Sequence, residues 1–85
     1  MNTTHNLKIL PIHFYQVGNG FKKVELRKND RDFKENDILC LEEWSPFDNE
    51  YTGKECNVRV THILQGGMYG LDKDYVAMSI ELIIN

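Results

Sequence analysis

The sequence predicts one small, β-rich mixed α/β domain: a compact barrel of about five strands with a single short helix after the first strand. Three observations carry this. Five segments alternate apolar with polar residues or run apolar, one segment alone is punctuated as a helix, and 85 residues suffice for one core. Many strands with few helices in a short chain favour a barrel over a doubly wound sheet, and closing the sheet removes exposed edges. A chain of this length buries roughly 60–65% of its unfolded surface, so the core is modest.

His5 to Leu10 reads as the first strand, with Leu7 and Ile9 on one face and Lys8 on the other. Pro11 suits a first helical position, where its missing N–H costs nothing. Phe14 and Val17 share a face of the helix that follows, and Gly18-Asn19-Gly20 stops it after about two turns. So short a helix needs a sheet to lie on. Lys23 to Lys28 is the second strand, Val24 and Leu26 alternating with Glu25 and Arg27. It could pair with the first strand in a parallel sense. Residues 29–34 form a polar loop anchored by Phe33, and 35–37 a turn.

Ile38-Leu39-Cys40-Leu41 is an apolar run consistent with a strand covered on both faces, continuing through Glu42 and Glu43 to Trp44. Residues 45–53 are rich in turn formers and link an antiparallel hairpin. Lys54 to Leu64 is the longest strand, with Cys56, Val58, Val60, His62 and Leu64 on one face. Residues 65–72 are a Gly-rich loop without the spacing of a phosphate-cradling motif. It is read as a flexible connection, or as a lid with Met68 and Tyr69 as its apolar surface. Tyr75 to Ile84 closes the chain as a strand, with Val76, Met78, Ile80, Leu82 and Ile84 on one face. There are no repeats or linkers, so residues 1–85 read as a single domain.

No apolar run approaches the ~20 residues of a membrane span, and residues 1–6 have neither the basic nor the apolar region of a signal peptide. The expected compartment is the cytoplasm, with no membrane partner. Cys40 and Cys56 read as buried free thiols inside strands. His5, His13 and His62 are scattered without ligand spacing, so no metal and no cofactor is expected. The formal net charge is −3, which argues against broad nucleic-acid affinity, but the charge is polarised. Residues 20–34 carry Lys22, Lys23, Arg27, Lys28, Arg31 and Lys34, six of the ten basic residues, while 35–56 are strongly acidic. A local basic segment contacts phosphate even on an acidic domain.

On the second strand Glu25 and Arg27 point the same way, and Lys22 reaches the same space. An arginine fork binds carboxylate or phosphate, and a carboxylate accepts from a base, hydroxyl or amine. The plainer reading is a strand-face ion pair. Trp44, Phe47, Tyr51 and Tyr69 would stack bases beside a basic groove, or fill the barrel end and cover loops.

Gly20-x-Lys22-x-x-Glu25-x-Arg27 resembles the G-x-K-x-x-E-x-R signature of the ASCH (activating signal cointegrator homology) domain. "LKILP" before the helix, Arg27 to Phe33, "NDILCLEEW" and "EYTGKE" are similar to a bacterial and phage branch of small uncharacterised ASCH-like proteins. The resemblance implies a PUA-like pseudo-barrel with a helix beside a cleft, and a role in contacting RNA or another nucleic acid. The implied binding residues are Gly20, Lys22, Glu25, Arg27, Lys28, Asn29 and Arg31. Some ASCH-like proteins are hydrolases of modified cytidine or of RNA, using the motif lysine, a threonine two residues before the motif arginine, and a distant glutamate. Here Lys22 is kept and Glu25 stands at the threonine position, with Glu42, Glu43 and Glu81 the candidates for the distant acid. The alternatives to nucleic-acid binding are thus a small hydrolase acting on a modified nucleoside or RNA, with Lys22 and Glu25 as catalytic candidates, and a protein-interaction module docking through the acidic 35–56 region.

Overall fold

A computed structural model describes residues 2–84. The elements run β1 (Thr4–Ile9), α1 (Pro11–Gly18), β2 (Val24–Lys28), β3 (Ile38–Ser45), β4 (Glu50–Gln65) and β5 (Tyr75–Leu82). They form a five-stranded sheet of order β1-β3-β4-β5-β2, curled into a half-barrel, with the one short helix after the first strand. The β-rich architecture read from the sequence is therefore the one adopted.

The pairing of the first two strands differs from the sequence reading. β1 pairs parallel with β3, and β2 pairs antiparallel with β5. The parallel β1–β2 pairing is not formed; both strands are sheet edges, facing each other across a seam that no backbone ladder closes. The core lies inside the curl and gathers Leu7, Ile9, Val17, Phe33, Leu39, Leu41, Val58, Val60, Val76, Met78 and Ile80. Val17 secures α1 to it, and Phe33 anchors the 29–37 connection as expected.

β4 is long because it serves two partners: its first part pairs with β3 and its second with β5. The hairpin before it is tighter than the sequence suggests, since Ser45 already pairs with Glu50. A bulge at Thr61 separates the pairs Val60–Ile80 and His62–Ser79. One extra residue reverses the alternation, because side chains repeat with period two. Val58 and Val60 therefore face the core, whereas His62 and Leu64, expected on the same face, point to solvent. β5 ends at Leu82, so Ile84 lies outside the strand and is exposed.

Both thiols are free and half-buried rather than buried. Leu41 pairs with Cys56 and Cys40 with Asn57, which puts the two thiols on opposite faces of the sheet and beyond disulfide reach. Burial and a hydrogen bond to Glu55 push the Cys40 thiol up to about 11. Burial, with the charge of Glu25, also raises Cys56. Neither is a reactive thiolate at neutral pH.

A polar hub ties the start of β1 to the start of β3. The buried Asp37 carboxylate accepts from His5 Nε2 at 2.8 Å, from the Lys34 amide at 3.0 Å and from the Thr3 amide at 3.1 Å. His5 in turn packs edge-on against Phe33 at 4.8 Å between ring centroids. Burial raises the Asp37 carboxyl, but the bonds from His5, Lys34 and Thr3 outweigh it and hold the group below its ordinary value. A carboxylate depressed in the native state contributes stability above the ordinary carboxylate pKa and loses it as pH falls through the lowered value.

Two expected outcomes follow. In urea titrations, stability declines as pH drops below about 4, and Asp37→Asn shrinks this acid limb while lowering stability at neutral pH by about 1–3 kcal/mol. At Gly66 a Cβ would lie 1.9 Å from the Asp72 carbonyl oxygen and 2.5 Å from that of Tyr75, both main-chain atoms. Gly66→Ala should therefore destabilise the domain by about 2–3 kcal/mol in the same measurement.

Candidate ligand cleft at the barrel seam

β2 is built with its polarity inverted. Its alternation places Val24 and Leu26 outward, 47% and 57% exposed, and turns Glu25 and Arg27 inward. Outside, Leu26 meets Ala77 and Ala77 meets Leu64 across three strands. Inside, Glu25 is only 2% exposed. A buried carboxylate requires partners, and it has two: Lys22 Nζ donates to Oε1 at 3.1 Å and Arg27 Nε to Oε2 at 2.8 Å. The plain ion-pair reading thus holds, for a buried carboxylate shared by two cations at the wall of a cavity.

The helix end places Lys22. Gly20, at φ +77°, takes the left-handed turn, and the amides of Phe21 and Lys22 both donate to the Gln16 carbonyl at 2.9 and 3.0 Å. This returns the chain toward the sheet and brings Lys22 over Glu25. The cavity at the seam has a volume of about 360 Å³ and is lined by Lys8, Ile9, Leu10, His13, Lys22, Val24, Glu25, Leu26 and Arg27. Among the described residues, Glu25 is its only carboxylate. Lys22 keeps N–H groups beyond the one given to Glu25, and Arg27 keeps donors beyond those used on Glu25 and the Lys8 carbonyl. The cleft therefore offers donors and net positive charge to a ligand that brings acceptors.

Of the residues singled out in the sequence, Lys22, Glu25 and Arg27 converge. Gly20 lines a second cavity of about 200 Å³, with Val17, Val58, Ile80 and Leu82, which shares Lys22 with the first. Lys28 shares the outward face of β2 with Leu26. The Asn29 side chain accepts from the Phe33 amide at 3.0 Å and so shapes its own loop. Arg31 reaches across the seam to the Asn6 carbonyl at 3.0 Å. None of Glu42, Glu43 and Glu81 lines the seam cleft: Glu43 accepts from Thr52, and Glu81, paired with Arg59, lines the second cavity together with Lys22. Trp44 lies on the outer face, edge-on to Tyr51 with the Lys8 ammonium 4.0 Å from its ring centroid, so its packing is already taken. Phe47 and Tyr69 are exposed on turns. Lys8 and His13 are the polar cleft residues that sequence reasoning missed, Lys8 having been read only as the outer face of the first strand. The only local signal of His13 was a place in the first turn of the helix.

Comparison with known proteins places this arrangement. A family model described as "Domain of unknown function (DUF3850)" matches residues 4–80. The chain belongs to the DUF3850 family. The match runs from β1 into β5 and so takes in the cleft and both edges of the seam. This DUF3850 chain is also 33% identical over 63 residues to an "Uncharacterized 12.9 kDa protein in GpA 3' region" of Escherichia phage P2. That alignment covers 74% of this chain and 56% of the phage protein, so the chain spans little more than half of that relative. No helix among the described residues is long and apolar enough to cross a membrane.

Removing the buried carboxylate leaves two cations facing each other. Breaking a fully buried pair costs about 3–5 kcal/mol. Lys22 and Arg27 keep about a quarter of their surface in water, so Glu25→Ala is expected to cost about 2–3 kcal/mol in chemical denaturation.

Proposed function

We propose that the seam cleft binds nucleic acid, RNA in the first place, by engaging the phosphate backbone. The observation that carries the reading is the inverted strand. Facing Glu25 and Arg27 inward while Val24 and Leu26 face water is costly for a fold of this size, and such local violations are characteristic of functional sites. Lys22 and Arg27 then supply oriented donors whose charge exceeds that of Glu25 by one, and Arg31 extends the same sign along the seam. Arginine forks suit phosphate oxygens, and Glu25 both holds the donors in place and accepts from an N–H or O–H of a base or sugar.

The G-x-K-x-x-E-x-R spacing, similar to that of the ASCH domain, supports the same assignment, and the half-barrel with its short helix agrees with a PUA-like relative. A hydrolase of modified nucleosides would call on Lys22 with further acids. With Glu25 the one carboxylate among the described residues that line the seam cleft, and Lys22 bonded to it as a donor, binding is the better-supported use of these groups. A protein-docking role for the acidic segment has no comparable geometry behind it.

Fluorescence anisotropy with a short single-stranded RNA tests the reading. With about three phosphates engaged, the logarithm of affinity should fall with the logarithm of salt at a slope of about −2. Lys22→Gln and Arg31→Gln should each flatten that slope and weaken binding at low salt. No binding at low salt, or equal binding by both variants and the parent, sinks the proposal.

A further inference from the structure

Arg27, which lines the cleft, and Arg31, which lies beyond its lining, both bridge the seam of the half-barrel. Arg27 Nη2 donates to the Lys8 carbonyl and Arg31 Nη1 to the Asn6 carbonyl, each at 3.0 Å and each open to solvent. These carbonyls lie on the edge of β1 that turns away from β3. β2 presents a matching edge. Lys23 accepts from the Ile80 amide and the Asn29 amide donates to Asp74, so the odd-numbered positions face β5 and the main chain of Val24, Leu26 and Lys28 faces the seam. Through the pairings of the sheet, β1 and β2 run antiparallel. Two complementary edges therefore stand opposite each other, bridged by two guanidinium groups instead of a ladder.

Each bridge joins a charged donor to a neutral acceptor in contact with water. A phosphate oxygen is the stronger partner for a guanidinium, and it takes the fork bidentately. The carbonyls lose little on release, since water replaces the arginine. The guanidinium is one rigid plane, so freeing Nη2 turns the whole group about its stem, and Glu25 stays bonded through Lys22 at 3.1 Å while Arg27 swings to the ligand. From this we infer that an anionic ligand entering the cleft takes Arg27 and Arg31 from the Lys8 and Asn6 carbonyls and unlatches β1 from β2, so that binding and opening of the seam are one event. The inference rests on the nucleic-acid reading of the cleft and adds its regulation. β1 stays tied to β3 by its ladder and to Asp37 through His5, so the released edge loosens rather than detaches.

The test is an NMR titration of the full chain with a ten-residue oligouridylate at low salt, with binding followed in parallel by anisotropy. On saturation the carbonyl carbons of Asn6 and Lys8 should shift. The amides of Leu7 and Ile9, which face β3, should exchange about tenfold faster, in line with losing two solvent-exposed bonds at one edge. Amides in the β4–β5 ladder should not. Arg31→Lys keeps the charge without the fork, and should reduce the Asn6 response while the Lys8 response remains. If the oligouridylate saturates the protein and the Asn6 and Lys8 carbonyls and the β1 exchange rates stay as they were, the latch is overturned and the binding site stands. If it does not bind at all, both are overturned.

Discussion

A carboxylate placed inside a barrel wall has to be neutralised where it stands, and Glu25 sets that condition for this domain. Lys22 must come back over it after the helix, which explains the left-handed turn at Gly20 and the two amides gathered on the Gln16 carbonyl. Arg27 must lie along the same inner face, two residues on, and from there its guanidinium reaches the far edge of the sheet. The apolar side chains of β2 are displaced outward as a result, and their exposure is the counterpart of the charge within. Loop, strand polarity and seam thus share one electrostatic cause.

The opposite end of the first strand is governed by a second acid. Asp37 gathers an imidazole and two amides, and its own amide and carbonyl bond to Lys34 and Val60. It therefore fixes where β1 begins relative to β3 and where the turn between residues 34 and 37 closes. The two acids differ in kind. Asp37 is surrounded by its own chain and organises it. Glu25 has chain on one side and a cavity on the other, which is why one is read as structural and the other as part of a site.

Much of the local structure was legible. The strands announce themselves by alternation, the helix by Pro11 and the Gly18-Asn19-Gly20 stop, and Phe33 by being the one large apolar side chain in a polar stretch. The convergence of Lys22, Glu25 and Arg27 was legible too, because it depends only on strand period and a short reach. The rest depends on information that local pattern lacks. Pairing between β1 and β3 joins residues 34 apart, as Thr4 does with Ile38, and leaves no trace in either segment. The bulge at Thr61 has no glycine or proline to mark it, yet it alone decides that Leu64 faces water. His13 belongs to the cleft only because the sheet curls under the helix. Arg31 read as a ligand contact from its charge, whereas its position opposite the Asn6 carbonyl follows from the sheet order.

That order also has a bearing on time. β1 finds its partner only when residues 38–45 are present, and β2 finds its partner only in the last strand. Neither of the first two strands can be laid down by local contacts, and distant pairings of this kind slow folding because the loops they close must be ordered first. During synthesis the first third of the chain would leave the ribosome with both of its strands unmatched. β1 can pair once residues 38–45 have emerged, whereas β2 waits for β5, so the seam between β1 and β2 cannot form before β5 is present.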